Sequence, residues 1–112
     1  MPKFIFVLLI SFAFSSGLSA QQTNSVFRVS GNCEMCKSRI EAAVDVKGVK
    51  KATWNEESGE LKIRYDSTQV SEDKLMKLVA NAGHDTPRYK ADSDTYRKLN
   101  PCCQYRSTKH GK

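Results

Sequence analysis

A chain of 112 residues with a formal charge of +6, 39% hydrophobic and 27% charged side chains has room for one domain and not two. No run of basic residues is interleaved with aromatics, so the positive balance reads as a solvated basic surface able to meet acidic partners and not as a nucleic-acid interface. Four cysteines in so short a chain require an account from disulfide, ligation or redox chemistry.

The N-terminus sets the compartment. Lys3 is the one charge before an apolar run from Phe4 to Phe14 and a small-residue approach to Ala20, the layout of a secretory signal peptide cleaved before Gln21. The run is short of the roughly 20 apolar residues that span a bilayer, and no cysteine stands at the cleavage point to take a lipid. Residues 1–20 are therefore expected to be removed, leaving 92 residues with a charge of +5, a periplasmic or secreted location and no stable membrane insertion.

Residues 21–25 are polar and read as a flexible start. Residues 26–30, Val-Phe-Arg-Val-Ser, alternate, placing Phe27 and Val29 on one face of a strand. Gly31-Asn32 breaks it, and from Cys33 the spacing turns helical, with Cys36, Ile40, Ala43 and Val44 on one side and Lys37, Arg39 and Glu41 on the other, up to Gly48. Residues 49–55 and 61–66 flank Glu56-Glu57-Ser58-Gly59 as a hairpin, with Ala52, Trp54, Leu61, Ile63 and Tyr65 facing inward. Ser71 caps a second helix, Glu72 and Asp73 suit the positive end of its dipole, and Val70 is placed to staple onto Leu75. Leu75, Leu78, Val79 and Ala82 form its apolar stripe, and Gly83 stops it. Residues 84–90 are expected as a last strand, at a sheet edge because Pro87 donates nothing to a ladder. The order strand, helix, strand, strand, helix, strand is that of an α+β ferredoxin-like sandwich: a four-stranded antiparallel sheet with both helices on one face. Residues 91–112 lack either period and form a basic C-terminal tail, with room for a helical turn over 96–99 before Asn100-Pro101.

Cys33 and Cys36 form one tight pair, Cys102 and Cys103 another. A bridge closing so short a loop restrains the unfolded chain little, so ligation or redox chemistry explains them better than stabilisation. Cys33-Glu34-Met35-Cys36 lies where a strand gives way to a helix, and the helix N-terminus, with Lys37 and Arg39 close behind, favours thiolate over thiol. Two thiolates on such a turn can approach one ion from opposite sides, and soft sulfur selects copper(I) or mercury(II) over magnesium or calcium. Cys102 and Cys103 can fold back to extend that site to three or four sulfurs, hold a second ion, form a strained vicinal disulfide, or remain a redox-sensitive pair. Met35 reads as an exposed or packed side chain rather than a thioether ligand.

Gly31-Asn32-Cys33-Glu34-Met35-Cys36, Ile40-Glu41, Gly48-Val49 and Ala82-Gly83-His84-Asp85 resemble the heavy-metal-associated domain family, which comprises copper chaperones, N-terminal modules of metal-pumping ATPases and periplasmic mercury-binding proteins. The resemblance spans about residues 25–90, within a domain assigned to residues 21–90. It implies the ferredoxin-like fold and Cys33 and Cys36 as metal ligands. The sequence departs from the family where methionine is usual two residues before the first cysteine: Gly31 stands there, which implies a more mobile loop. His84 stands where relatives often carry tyrosine, phenylalanine or lysine, and an imidazole there is a candidate third ligand. The tail over residues 91–112 is not part of the family pattern.

The expected function is that of a carrier and not an enzyme: capture of copper(I), with mercury(II), zinc or cadmium as other candidates, and transfer by ligand exchange to a metal transporter or acceptor protein. Candidate ligands are Cys33, Cys36, His84, Cys102 and Cys103. The competing class is a thiol–disulfide oxidoreductase, because Cys-x-x-Cys at a helix start is also the thioredoxin motif. Against it stand the split strand order and the absence of a tryptophan before the pair or a proline within it.

Overall fold

The computed structural model describes residues 21–107. The leader assigned to residues 1–20 and the last five residues of the tail lie outside the described residues. Strand β1 (Gln22–Arg28), helix α1 (Glu34–Ala43), strands β2 (Val49–Trp54) and β3 (Glu60–Asp66) and helix α2 (Glu72–Asn81) follow in order. Helix α3 (Ser93–Arg97) and two 3-10 turns, Pro101–Cys103 and Tyr105–Ser107, complete the described residues. Among the described residues no helix is long and apolar enough to cross a membrane.

The sheet is antiparallel and three-stranded, in the order β1-β3-β2. Alternation makes it two-faced: Phe27, Trp54, Leu61, Ile63 and Tyr65 bury into one cluster with Cys36 and Ile40 of α1 and Leu75 and Val79 of α2. The opposite face carries Asn24, Val26, Thr53, Lys62 and Arg64, exposed to solvent. Both helices therefore cover one side, as in a ferredoxin-like α+β sandwich. Strand β1 starts earlier than its apolar pattern foretells. Gln22 to Ser25 pair with β3, and side chains hold this polar end: Ser25 Oγ lies 2.9 Å from Tyr65 Oη, and the Gln21 N–H donates to Asp66 Oδ1 at 3.2 Å.

Helix α1 is shorter than the stretch up to Gly48, ending at Ala43 with Val44 as its cap. Lys37 Nζ donates to Glu41 Oε2 at 2.6 Å and to Trp54 O at 3.1 Å, while Glu41 Oε2 accepts from Trp54 N at 2.8 Å. Charged groups one turn apart thus clamp α1 to the end of β2. Ser71 caps α2 as expected, its side chain accepting from Lys74 N at 3.1 Å. The buried face of α2 holds Leu75, Met76, Val79 and Ala80, with Leu78 half-buried beside it, so the stripe is turned toward positions 76 and 80.

The expected fourth strand over residues 84–90 is not formed. One ladder-like bond survives, from Ser30 N to Asp85 O at 3.0 Å. Beyond it Thr86 N donates to Tyr89 O at 2.8 Å and Tyr89 N donates to Thr86 Oγ1 at 3.0 Å, closing a turn around Pro87 and Arg88. Tyr89 Oη then bonds Asp73 Oδ2 at 2.7 Å on the first turn of α2. Pro87 has no N–H, and the N–H and hydroxyl of Thr86 are consumed in the local turn, which removes the donors that a ladder through these residues would use.

Residues 91–107 pack back onto this body. Asp92 caps α3 by accepting from Asp94 N and Thr95 N, and Ala91, Leu99, Cys103 and Tyr105 are all buried. At Gly83, φ is +109° and an added Cβ would come within 2.9 Å of Leu99 Cδ2. Glycine there both permits the left-handed turn after α2 and leaves the space that the tail fills.

Candidate metal centre

Cys33 is the N-cap residue of α1, with extended backbone (φ −150°, ψ 175°), and Cys36 lies in the first turn. That spacing turns both sulfurs to the same side, 3.3 Å apart. Cys36 is fully buried and Cys33 half-buried. The Cys36 sulfur accepts from Asn32 N at 3.4 Å and donates to Asn32 Oδ1 at 3.5 Å. Beneath the loop, a Cβ at Gly31 would lie 3.1 Å from Cys36 Cβ and from two atoms of the Trp54 ring. The indole thus takes the space of a side chain at position 31 and supports the loop, with its Nε1 donating to Val29 O at 3.1 Å and Gly59 O at 3.2 Å.

The tail completes the cluster. Cys102 Sγ lies 2.7 Å from Cys33 Sγ, and Cys103 Sγ lies 2.8 Å from Cys36 Sγ and 3.5 Å from Cys33 Sγ. A disulfide requires about 2.05 Å, and all four cysteines are free thiols. Among the described residues, the sulfurs of Cys33, Cys36 and Cys103 lie within 4.8 Å of one another, a group that could hold a metal ion. Cys103 is fully buried and Cys102 exposed. Met35, itself exposed, approaches this rim: Cys102 Sγ donates to Met35 Sδ at 3.7 Å, and Asn100 Nδ2 at 3.4 Å.

The four thiols are not equivalent. Burial pushes Cys33 up, but hydrogen bonds from the Cys102 and Cys36 thiols outweigh it and draw Cys33 down to about 7. Burial raises Cys36 despite the Asn32 N–H. Cys102 is raised by donating to Cys33, and Cys103 is raised strongly by burial and by its bonds to Cys36 and Cys33. One sulfur is thus ready to be an anion and three hold their protons until something soft and positive displaces them.

His84, the candidate third ligand, is not brought to the sulfurs. Its Nδ1–H donates to Ser30 O at 2.8 Å, its Nε2 is buried without a hydrogen-bond partner, and its ring stacks on Tyr105 at 5.5 Å. Burial, with Arg39 nearby, holds its pKa below the usual histidine value, so the ring is neutral at pH 7. It ties the segment before Cys33 to the tail after Cys103.

Tyr105 carries weight that its sequence context conceals. Fully buried, it donates from Oη to Gly83 O at 2.7 Å and accepts from Asp85 N at 3.0 Å, and Tyr96 packs edge-on at 5.1 Å. Arg106 follows, bonding Asp85 Oδ1 at 2.7 Å and Ala91 O at 2.8 Å. The one available signal was three large apolar residues, Tyr96, Leu99 and Tyr105, in an otherwise polar segment.

The heavy-metal-associated domain profile matches residues 26–85. The copper chaperone CopZ of Staphylococcus aureus (strain JH9) is 29% identical over 65 residues, 56% of this chain and 96% of that protein. A solved CopZ metallochaperone superposes with a TM-score of 0.55 at 29% identity, over 57% of this chain and 98% of the other. Oxidised MerP from Ralstonia metallidurans CH34 does so at 0.56 and 26%, over 59% and 94%. The profile takes in Cys33, Cys36 and His84 and stops short of Cys102 and Cys103. On a match covering more than half its length, together with the loop that presents Cys33 and Cys36, this chain belongs to the heavy-metal-associated domain family.

Proposed function

We propose that the protein captures a thiophilic ion, copper(I) foremost, on Cys33 and Cys36 and passes it by ligand exchange to an acceptor that presents its own thiolates. The observation that carries this reading is the pair itself: two free sulfurs 3.3 Å apart at the start of α1, on a loop supported from below by Trp54. Soft sulfur pairs favour monovalent copper and mercury(II), and likeness to a copper chaperone at 29% identity puts copper first. Transfer breaks one metal–sulfur bond as another forms, so no oxidant or catalyst is needed. The positive chain steers an acidic docking surface into place. With residues 1–20 read as a leader, this happens outside the cytoplasm, and the mature chain begins at Gln21. Mercury(II) is the second reading, favoured by the likeness to MerP.

The test is a competition titration of the reduced protein with copper(I), mercury(II), zinc and cadmium against chromogenic chelators. Copper(I) is expected to bind one per chain, and Cys33→Ser/Cys36→Ser to lose more than a hundredfold in affinity. Equal retention by that double variant would end the proposal. Tighter binding of mercury(II) in competition with copper(I) at matched chelator strength would shift it to the second reading, and catalytic insulin reduction would replace it with the oxidoreductase class.

A further inference from the structure

The matched family domain supplies two of the four sulfurs that converge, and the segment beyond it supplies the others. Cys103 is not a small apolar residue that happens to be inside. Its sulfur is turned to the sulfurs of Cys36 and Cys33, at 2.8 and 3.5 Å. The turn that carries it is fixed at both ends: Leu99 against Gly83 on one side, Tyr105 bonded to Gly83 O and Asp85 N on the other. Cys103 N closes the turn by donating to Asn100 O at 2.8 Å, with Pro101 preset at its start. Adjacent residues in such a turn diverge, so when Cys103 points inward Cys102 faces solvent, 2.7 Å from the Cys33 sulfur.

We infer that the tail is a built-in strap completing a three-thiolate site, in which Cys33, Cys36 and Cys103 hold the ion and Cys102, at the mouth, is the exchange ligand through which it enters and leaves. The inference rests on the metal-capture reading above. Copper(I), a soft cation, accepts three sulfurs as well as two, and tethering the third to the same chain replaces a bimolecular encounter with a high effective concentration. As each metal–sulfur bond forms, the S–H bond of that cysteine breaks and its proton passes to solvent water. No electron moves. The strap also occupies the side of Cys33 from which an acceptor's thiolates would approach, so delivery requires one tail sulfur to yield its place. Release is therefore slower than from the bare pair, and Cys102 speeds it by holding the ion midway.

The reduced full chain loaded with one copper(I) is examined by X-ray absorption for the number of bound sulfurs, and in parallel with cadmium(II), whose thiolate charge-transfer absorbance scales with that number. Three sulfurs are expected in the wild type and two in Cys103→Ser, with affinity at least tenfold lower in the variant. Cys102→Ser keeps three sulfurs and delivers copper to a competing dithiol at least tenfold more slowly. Two sulfurs in the wild type overturns the three-thiolate site without reference to any variant, so a misfolded Cys103→Ser does not shield the claim. An unchanged delivery rate in Cys102→Ser overturns the exchange role. Loss of metal by Cys33→Ser/Cys36→Ser alongside a wild-type-like Cys103→Ser defeats the strap alone, whereas full retention by the double variant defeats the underlying function.

Discussion

Cys33 with Cys36, and Cys102 with Cys103, deliver sulfur to one place by different physics. The members of the first pair stand three positions apart across a helix start, so the backbone itself turns both sulfurs the same way, 3.3 Å apart. The second pair is adjacent, with its sulfurs 4.0 Å apart, one inward and one outward, and it meets the first across some 70 residues of sequence. The first depends on a strand, a helix and the indole beneath them. The second depends on a few anchors, Leu99, Tyr105 and Arg106, that clip an irregular segment onto the body. Loss of an anchor is therefore expected to free the second pair alone, whereas loss of the indole strikes the body that both pairs share.

Truncation of one aromatic on each side tests that division most severely. Trp54→Ala removes a fully buried ring and its two hydrogen bonds, at a cost of about 3–5 kcal/mol, a large share of the roughly 5–15 kcal/mol that holds a domain together. A matching fall in the urea midpoint is expected, with all four thiols becoming alkylatable together. Tyr105→Ala is expected to free the tail alone: Cys103 alkylates at least tenfold faster under native conditions while Cys36 stays protected. Simultaneous exposure of Cys36 in Tyr105→Ala would show that body and strap are one cooperative unit.

A finer cut separates the ring of Tyr105 from its hydroxyl. Tyr105→Phe preserves the stacking on His84 and the edge contact with Tyr96 but leaves Gly83 O and Asp85 N without that partner. A penalty of about 1–3 kcal/mol follows for unsatisfied buried groups, read from urea unfolding. A midpoint equal to wild type would place the anchoring in the ring contacts and not in the hydroxyl.

The same division explains what the sequence discloses. Alternation along residues 26–29 and 61–65, helical spacing from Cys33 and Leu75, and Ser71 as a cap are local patterns, and each element they foretell is present. The edge strand failed because Pro87 and the side chain of Thr86 divert the hydrogen bonds that a strand would use, a competition invisible to periodicity. The polar start of β1 was missed because its support, Tyr65 and Asp66, lies 40 or more residues away. At the candidate centre, the closeness of the Cys33 and Cys36 sulfurs was legible from their spacing. That Cys103 turns inward, and that His84 spends its Nδ1 on Ser30, depend on how the tail lies, and no local period encodes that.

The smallest expected effect bears on whether the strap tunes the pair it covers. Cys33 is drawn from its ordinary 9.0 to about 7, burial being outweighed first by the Cys102 thiol and then by Cys36. A lowered pKa means that ionisation favours the folded state above the unfolded thiol's value, and that this contribution is lost as pH falls through 7. Iodoacetamide labelling of the reduced, metal-free chain, followed residue by residue in mass spectra, is expected to give a midpoint near 7 for Cys33 and a higher one for Cys36. In Cys102→Ser the weaker sulfur donor is replaced by a hydroxyl able to donate in its place, so the Cys33 midpoint stays low; in Cys102→Ala that donor is gone while Cys36 and Cys103 remain, and the midpoint rises part of the way toward the ordinary value. A midpoint that ignores both substitutions would mean that the helix start and Cys36 alone set the acidity of Cys33, leaving the tail to contribute position and not charge.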